Sequence, residues 1–137
     1  MTIVTKTVRF DAAHILTHHQ GLCKNLHGHT YRVDVTVKQD DDDTRDMVID
    51  FKDLKAAMRT YITDTFDHSF IYDTTSEGEC EIAAVLEKQS MRTVKLPCRS
   101  TAENLAHHFF NLLAPHIKGL SAVAVWETPD SCATYKR

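Results

Sequence analysis

The segment Tyr31-Arg32-Val33-Asp34-Val35-Thr36-Val37 alternates apolar and polar residues without a break. It constrains the fold more than any other stretch. Side chains two apart share one face of a strand, so Tyr31, Val33, Val35 and Val37 face a core while Arg32, Asp34 and Thr36 face away. His27-Gly28-His29 stands immediately before this run. If the strand begins there, both imidazoles continue the valine row and point the same way. Two convergent imidazoles are half of a metal site.

A third imidazole would give a set of ligands with one coordination position left open, the catalytic rather than the closed structural arrangement of zinc. Residues 2–10 are β-branched and alternate, with Val4, Val8 and Phe10 on one face, and the spacing predicts a strand. His14 follows that strand directly and is the preferred third ligand. His18 and His19 compete with it from the stretch 11–29, which has no clean period and reads as an ordered connection.

Further along, the aspartates at 40–43 lack the glycine and distal glutamate of a calcium loop and read as a solvated turn. Met47-Val48-Ile49 is expected to form a short strand. Asp50 caps a helix whose buried face is Leu54, Ala57, Met58, Tyr61 and Ile62. Residues 66–73 read as a loop leaving that helix, 81–89 as a short helix and 93–96 as a strand. Ser100-Thr101-Ala102-Glu103 has the form of a capping box, opening a second long helix that ends near Gly119. Residues 121–127 and 132–136 are expected strands around a turn. Hairpins with two amphipathic helices indicate an α+β fold.

With 137 residues, 42% of them hydrophobic, one domain spanning 1–137 with its own core is expected. A net charge of -3 favours neither nucleic acid nor an anionic membrane surface. No apolar run approaches the roughly 20 residues of a membrane span, and the polar N-terminus does not read as a signal peptide. Four cysteines without a CxxC pair suggest free thiols and a cytoplasmic setting.

Three other groups could carry chemistry. Cys23 lies four residues before His27, and a thiolate near zinc is either a further ligand or a base. Asp67-His68 sets a carboxylate beside an imidazole, a pairing that fixes a tautomer in many acid–base sites. Glu127 ends the apolar run Val123-Ala124-Val125-Trp126. A carboxylate buried there needs donors, and a ligand with two adjacent N–H groups suits it.

Taken in order, FDAAH at 10–14, CxxxHGHxY at 23–31, the helix start at 50–55, Asp67-His68, TAEN at 101–104 and ETP at 127–129 resemble the 6-pyruvoyl-tetrahydropterin synthase / 6-carboxytetrahydropterin synthase family. The resemblance covers about residues 5–135. It implies a tunnelling fold (T-fold), with a four-stranded antiparallel sheet and two helices on one face. It also implies subunits joined into a barrel, as a trimer or a dimer of trimers, with active sites between subunits. By the same resemblance His14, His27 and His29 hold Zn2+, Cys23, Asp67 and His68 are catalytic, and Glu127 anchors a small-molecule pterin. Thr101 and Glu103 match a segment near the pterin pocket, although the capping box explains both equally well.

Cys23 and Leu26 point within the family to the queuosine-pathway branch. That branch makes 6-carboxy-5,6,7,8-tetrahydropterin, acetaldehyde and triphosphate from 7,8-dihydroneopterin triphosphate. Sister outcomes on the same fold are triphosphate elimination to 6-pyruvoyltetrahydropterin, an aldolase-like cleavage, or a non-catalytic pterin- or metal-binding module. The stretch 71–100 is longer and more acidic than that branch leads one to expect.

Overall fold

The computed structural model spans residues 1–137. Its centre is a long hairpin of β1 (Thr2–His14) and β2 (His27–Gln39). The two strands pair antiparallel from Thr2↔Gln39 to His14↔His27. Six strands form one sheet in the order β4-β3-β1-β2-β5-β6, with β3 (Ser69–Asp73), β4 (Thr93–Leu96), β5 (Leu120–Thr128) and β6 (Ser131–Lys136).

This corrects the expected four-stranded antiparallel sheet. Residues 69–73, read as loop, form β3, and β3 pairs parallel with both β1 and β4. Parallel neighbours need crossover connections, which the helices supply. Helix α1 (Phe51–Met58) widens into a π turn over Arg59–Thr63 and closes with Asp64–Phe66. Helix α2 (Glu77–Lys88) crosses from β3 to β4; it is the short helix expected at 81–89, begun a turn earlier, and it makes three helices where the resemblance implied two. Helix α3 (Ala102–Leu113) leads to β5. Met47–Ile49 forms no strand, and Val48 and Ile49 instead pack against the core.

Asp50 caps α1 by accepting the Lys52 N–H at 2.8 Å. Helix α3 begins one residue later than the capping-box spacing places it. Its cap is Thr101, which accepts the Asn104 N–H at 3.2 Å, because Ser100 is buried and turned elsewhere.

The alternation in β2 does what its period requires. Tyr31, Val33, Val35 and Val37 are fully buried, facing Leu54, Met58, Ile62, Phe66, Leu105, Phe109 and Leu113. Phe10 stacks on Tyr31 at 5.1 Å between ring centroids and packs edge-on to Phe109 at 6.0 Å. Truncating a ring such as Phe109 to alanine would cost about 3–5 kcal/mol. The opposite face of the hairpin is polar. There Asp34 accepts bonds from Thr7, Arg32 and Trp126.

Candidate functional site

At the end of the hairpin where residues 15–26 connect the two strands, the buried row of valines becomes a row of imidazoles. His29 and His27 follow Tyr31 on the same face of β2, and His14 stands directly opposite His27. The ligand-capable nitrogens of His14, His27 and His29 all lie within 4.8 Å of one another. His14 is fully buried. Burial pushes its imidazole down to about 4 against the pull of the Ser100 carbonyl, and His27 and His29 lower it further.

The tautomers follow from the partners. His14 Nδ1 faces the Ser100 carbonyl oxygen at 2.9 Å, and His27 Nδ1 faces the Asn25 carbonyl oxygen at 2.7 Å. A carbonyl only accepts, so each Nδ1 carries the proton and each Nε2 presents a lone pair. Those two Nε2 atoms lie 3.1 Å apart. His29 Nε2 is buried with no partner at all. Lone pairs facing one another repel unless a cation sits between them. Two nitrogens held tetrahedrally ~2.0–2.1 Å from one zinc ion lie ~3.3 Å apart, so the three imidazoles fit such an ion. Orientation of a metal-ligating histidine through its second nitrogen is the usual arrangement, and Ser100 and Asn25 provide it here.

Cys23 lies in a turn of 3-10 helix, Leu22–Lys24, within the β1–β2 connection. It is half-buried and lines a cleft of about 380 Å³ together with Arg99, Thr101, Glu103 and Glu127. Cys23, Glu127, Thr101 and Glu103 therefore share one cavity. Burial pushes the Glu127 carboxyl up, the Glu103 carboxylate adds to this, and His27 opposes it. Thr101 also caps α3. Glu103 is exposed in the first turn of α3.

Asp67 and His68 lie elsewhere, on the β3 side of β1. Asp67 accepts the Asp11 N–H at 3.0 Å, and its other oxygen is 3.0 Å from His68 Nδ1. The Asp11 N–H holds the Asp67 carboxyl below the usual carboxylate range, and His68 adds to this against a smaller effect of burial. His68 adopts a left-handed backbone, φ 59°, and its N–H donates to the Asp11 carbonyl. His68 lines a second cleft, shared with Asp11, Gly28 and His29 but not with Cys23 or Glu127. Of the competing histidines, His19 accepts the Gly21 N–H at 2.8 Å and His18 lies exposed beside it, both outside the imidazole cluster.

Four participants have no sequence signal. Ser100 and Asn25 act through backbone carbonyls, and any residue carries one. Tyr31 reads as core, yet its hydroxyl is buried without a partner beside His29, whose ring lies 5.4 Å away. Arg99 reads only as a charge before a helix.

The family described as 6-pyruvoyl tetrahydropterin synthase matches residues 3–137. A 6-carboxy-5,6,7,8-tetrahydropterin synthase of Haemophilus influenzae is 42% identical over 97% of both chains. A protein of the same name from Aquifex aeolicus is 36% identical over 97% of this chain and 96% of its own. A solved structure of an uncharacterized protein from Wolinella succinogenes superposes with a TM-score of 0.84 at 21% identity, covering 98% of this chain and 97% of that one. The structure of 6-pyruvoyl tetrahydropterin synthase from Caenorhabditis elegans gives 0.69 at 31% identity, covering 100% and 97%.

Proposed function

The chain belongs to the 6-pyruvoyl tetrahydropterin synthase family, and on that premise we propose that it is a 6-carboxy-5,6,7,8-tetrahydropterin synthase, with the tunnelling fold of its relatives. It is a lyase taking 7,8-dihydroneopterin triphosphate and water to 6-carboxy-5,6,7,8-tetrahydropterin, acetaldehyde and triphosphate, in the branch that feeds queuosine synthesis. The observation that carries this reading is the 42% identity to the Haemophilus protein of that name over almost the whole of both chains.

His14, His27 and His29 would hold zinc. A zinc ion there supplies Lewis acidity toward hydroxyls on the substrate side chain. Glu127 would accept two N–H bonds from the 2-amino pyrimidinone edge of the pterin, orienting the ring. Burial beside Glu103 makes the bare carboxylate costly, so a ligand that donates twice is favoured. Cys23, in the same cleft, would move protons at the substrate side chain. His68 would do so as well, oriented by the Asp67 carboxylate. Thr101 and Glu103 would line the pterin's rim. Cleavage of the carbon–carbon bond then releases the two-carbon fragment as acetaldehyde.

Cys23 and His68 line separate clefts in one chain. A complete set of proton-moving groups therefore calls for a second copy. Strands β4 and β6 leave both sheet edges open, and joining such edges into a barrel removes them. This supports a homo-oligomer, a trimer or dimer of trimers, with sites between subunits.

The test is to incubate zinc-loaded protein with 7,8-dihydroneopterin triphosphate and measure acetaldehyde and product mass. Acetaldehyde with 6-carboxytetrahydropterin is expected. A 6-pyruvoyl or 6-hydroxymethyl pterin would assign a sister reaction, and no turnover would overturn the enzyme reading.

A further inference from the structure

The stretch between β3 and β4 has no part in the site described above, yet one of its residues reaches the loop that carries Cys23. We propose that Glu79 is a positioning residue for Cys23, acting through Thr17. The proposal rests on the reading of Cys23 as a residue of the reaction.

The β1–β2 connection, residues 15–26, satisfies its backbone mostly by itself. Leu16 N–H donates to Cys23 O at 2.9 Å, His19 N–H to Leu16 O at 3.0 Å and Asn25 N–H to Leu22 O at 3.0 Å. The loop's hydrogen bonds to the helical layer run through Thr17. Its hydroxyl donates to Glu79 Oε2 at 2.5 Å and lies 3.2 Å from Ser76 Oγ. Ile15, two residues earlier, packs with Phe70 and Ala83, the latter also on α2.

Glu79 is only 2% exposed. Its second oxygen accepts the Asp73 N–H at 3.2 Å. One buried carboxylate thus joins the end of β3 to the loop. Glu79 is three residues past the cap Ser76, where a glutamate commonly reaches back to the cap's own N–H. Here the Ser76 N–H is taken by Asp73 O, and the side chain turns to Thr17 instead. A buried carboxylate oxygen without a donor is costly, which holds Thr17 in place. The next residue back, Leu16, is bonded to the Cys23 carbonyl. Cys23 is therefore one backbone bond removed from a fixed anchor, in a loop that is otherwise exposed at Gly21, Leu22 and Lys24.

Thr17→Val removes the hydroxyl and keeps the shape. In the loaded enzyme, kcat is expected to fall about tenfold or more with KM changed less than about twofold, since small displacements of reacting groups cost rate rather than binding. Hydrogen exchange of peptides covering 16–25 should quicken about tenfold. The rate at which iodoacetamide labels Cys23, read by peptide mass, should change severalfold, and Thr17→Ser should restore all three. Glu79→Ala should match Thr17→Val; if it does not fold, the Thr17 pair decides. Unchanged loop exchange and labelling in Thr17→Val, or a Thr17→Ser protein that behaves like Thr17→Val, would overturn the proposal. Exchange and labelling need no turnover, so a wild-type protein inactive on the pterin would remove the proposed function and leave the clamp standing. Full activity in Cys23→Ala would remove the role of Cys23 alone.

Discussion

His14 and Ser100 meet across 86 positions of sequence: the imidazole Nδ1 donates to the Ser100 carbonyl oxygen at 2.9 Å and lies 3.1 Å from its hydroxyl. The carbonyl bond survives any side-chain change at 100. Ser100→Ala is therefore expected to weaken zinc binding by no more than about tenfold, the low end for residues that orient a ligand. His14→Ala should leave almost no zinc on the purified protein. Competition with a chromophoric chelator measures both, and full zinc occupancy in His14→Ala would refute the three-imidazole site.

Glu127 governs ring binding in the proposed reaction. Glu127→Gln offers one acceptor and one donor where two acceptors are needed, so KM for the pterin should rise roughly 100-fold, about 2–3 kcal/mol for charged hydrogen bonds, with kcat less affected. The carboxyl is raised above its ordinary 4.5 by burial and by Glu103. The charged form is therefore lost, as pH falls, at a higher pH than for a free glutamate. KM of the wild type should climb on that acidic limb, and the limb should vanish in Glu127→Gln. A KM profile parallel in the two proteins would contradict the assignment.

Because Cys23 and His68 face different clefts, inactive Cys23→Ala and His68→Ala chains should complement one another. Mixed, dissociated and reassembled, they are expected to regain activity in about a quarter of their sites, as random pairing across a shared interface dictates. No recovery from such mixtures, with assembly verified by light scattering, would place the whole site within one chain.

On the far face of the hairpin, burial pushes the Asp34 carboxyl upward. The bonds from Arg32, Thr7 and Trp126 overcome that and leave it below its usual value. Asp34→Asn should lower stability by about 1–3 kcal/mol at pH 7, measured by urea unfolding. A depressed carboxyl contributes fully above its unfolded pKa and loses that contribution as pH falls through the lower folded value. The gap between the two proteins should thus be flat from pH 7 to about 5 and close below about 4. A gap that widened in acid would contradict the ion-pair geometry.

Much of this is legible in the residues. The alternation at 31–37 is enough to orient β2, and carrying the same parity back to 27 puts His27 and His29 on the core side. The α+β class, the helix begun at Asp50 and, to within one residue of its cap, the helix begun at Thr101 follow from period and caps. Strand β3 does not announce itself: Phe70 and Ile71 are buried between two neighbouring strands, so no alternation arises. The extension of β1 through Asp11, Ala12 and Ala13 is hidden because these are weak strand formers. It is imposed by pairing with β2 and β3. Ser76 as a cap is masked because Glu77-Gly78-Glu79 is polar throughout, so the helix is legible only from 81 onward. Glu79 looks like one acidic residue among several, since only the fold reveals that Thr17 comes to meet it.

His27 opposes His14 in the same ladder that sets Tyr31 against Phe10. A slip of one residue between these strands would turn Val33 and Val35 to water and scatter the imidazoles in the same stroke. Any heritable change of length inside either strand would therefore be eliminated twice over, once by misfolding and once by loss of the ion. Drift in length is left to connections that carry no reacting group, such as the aspartate turn after β2, where variation among descendants of this chain should accumulate.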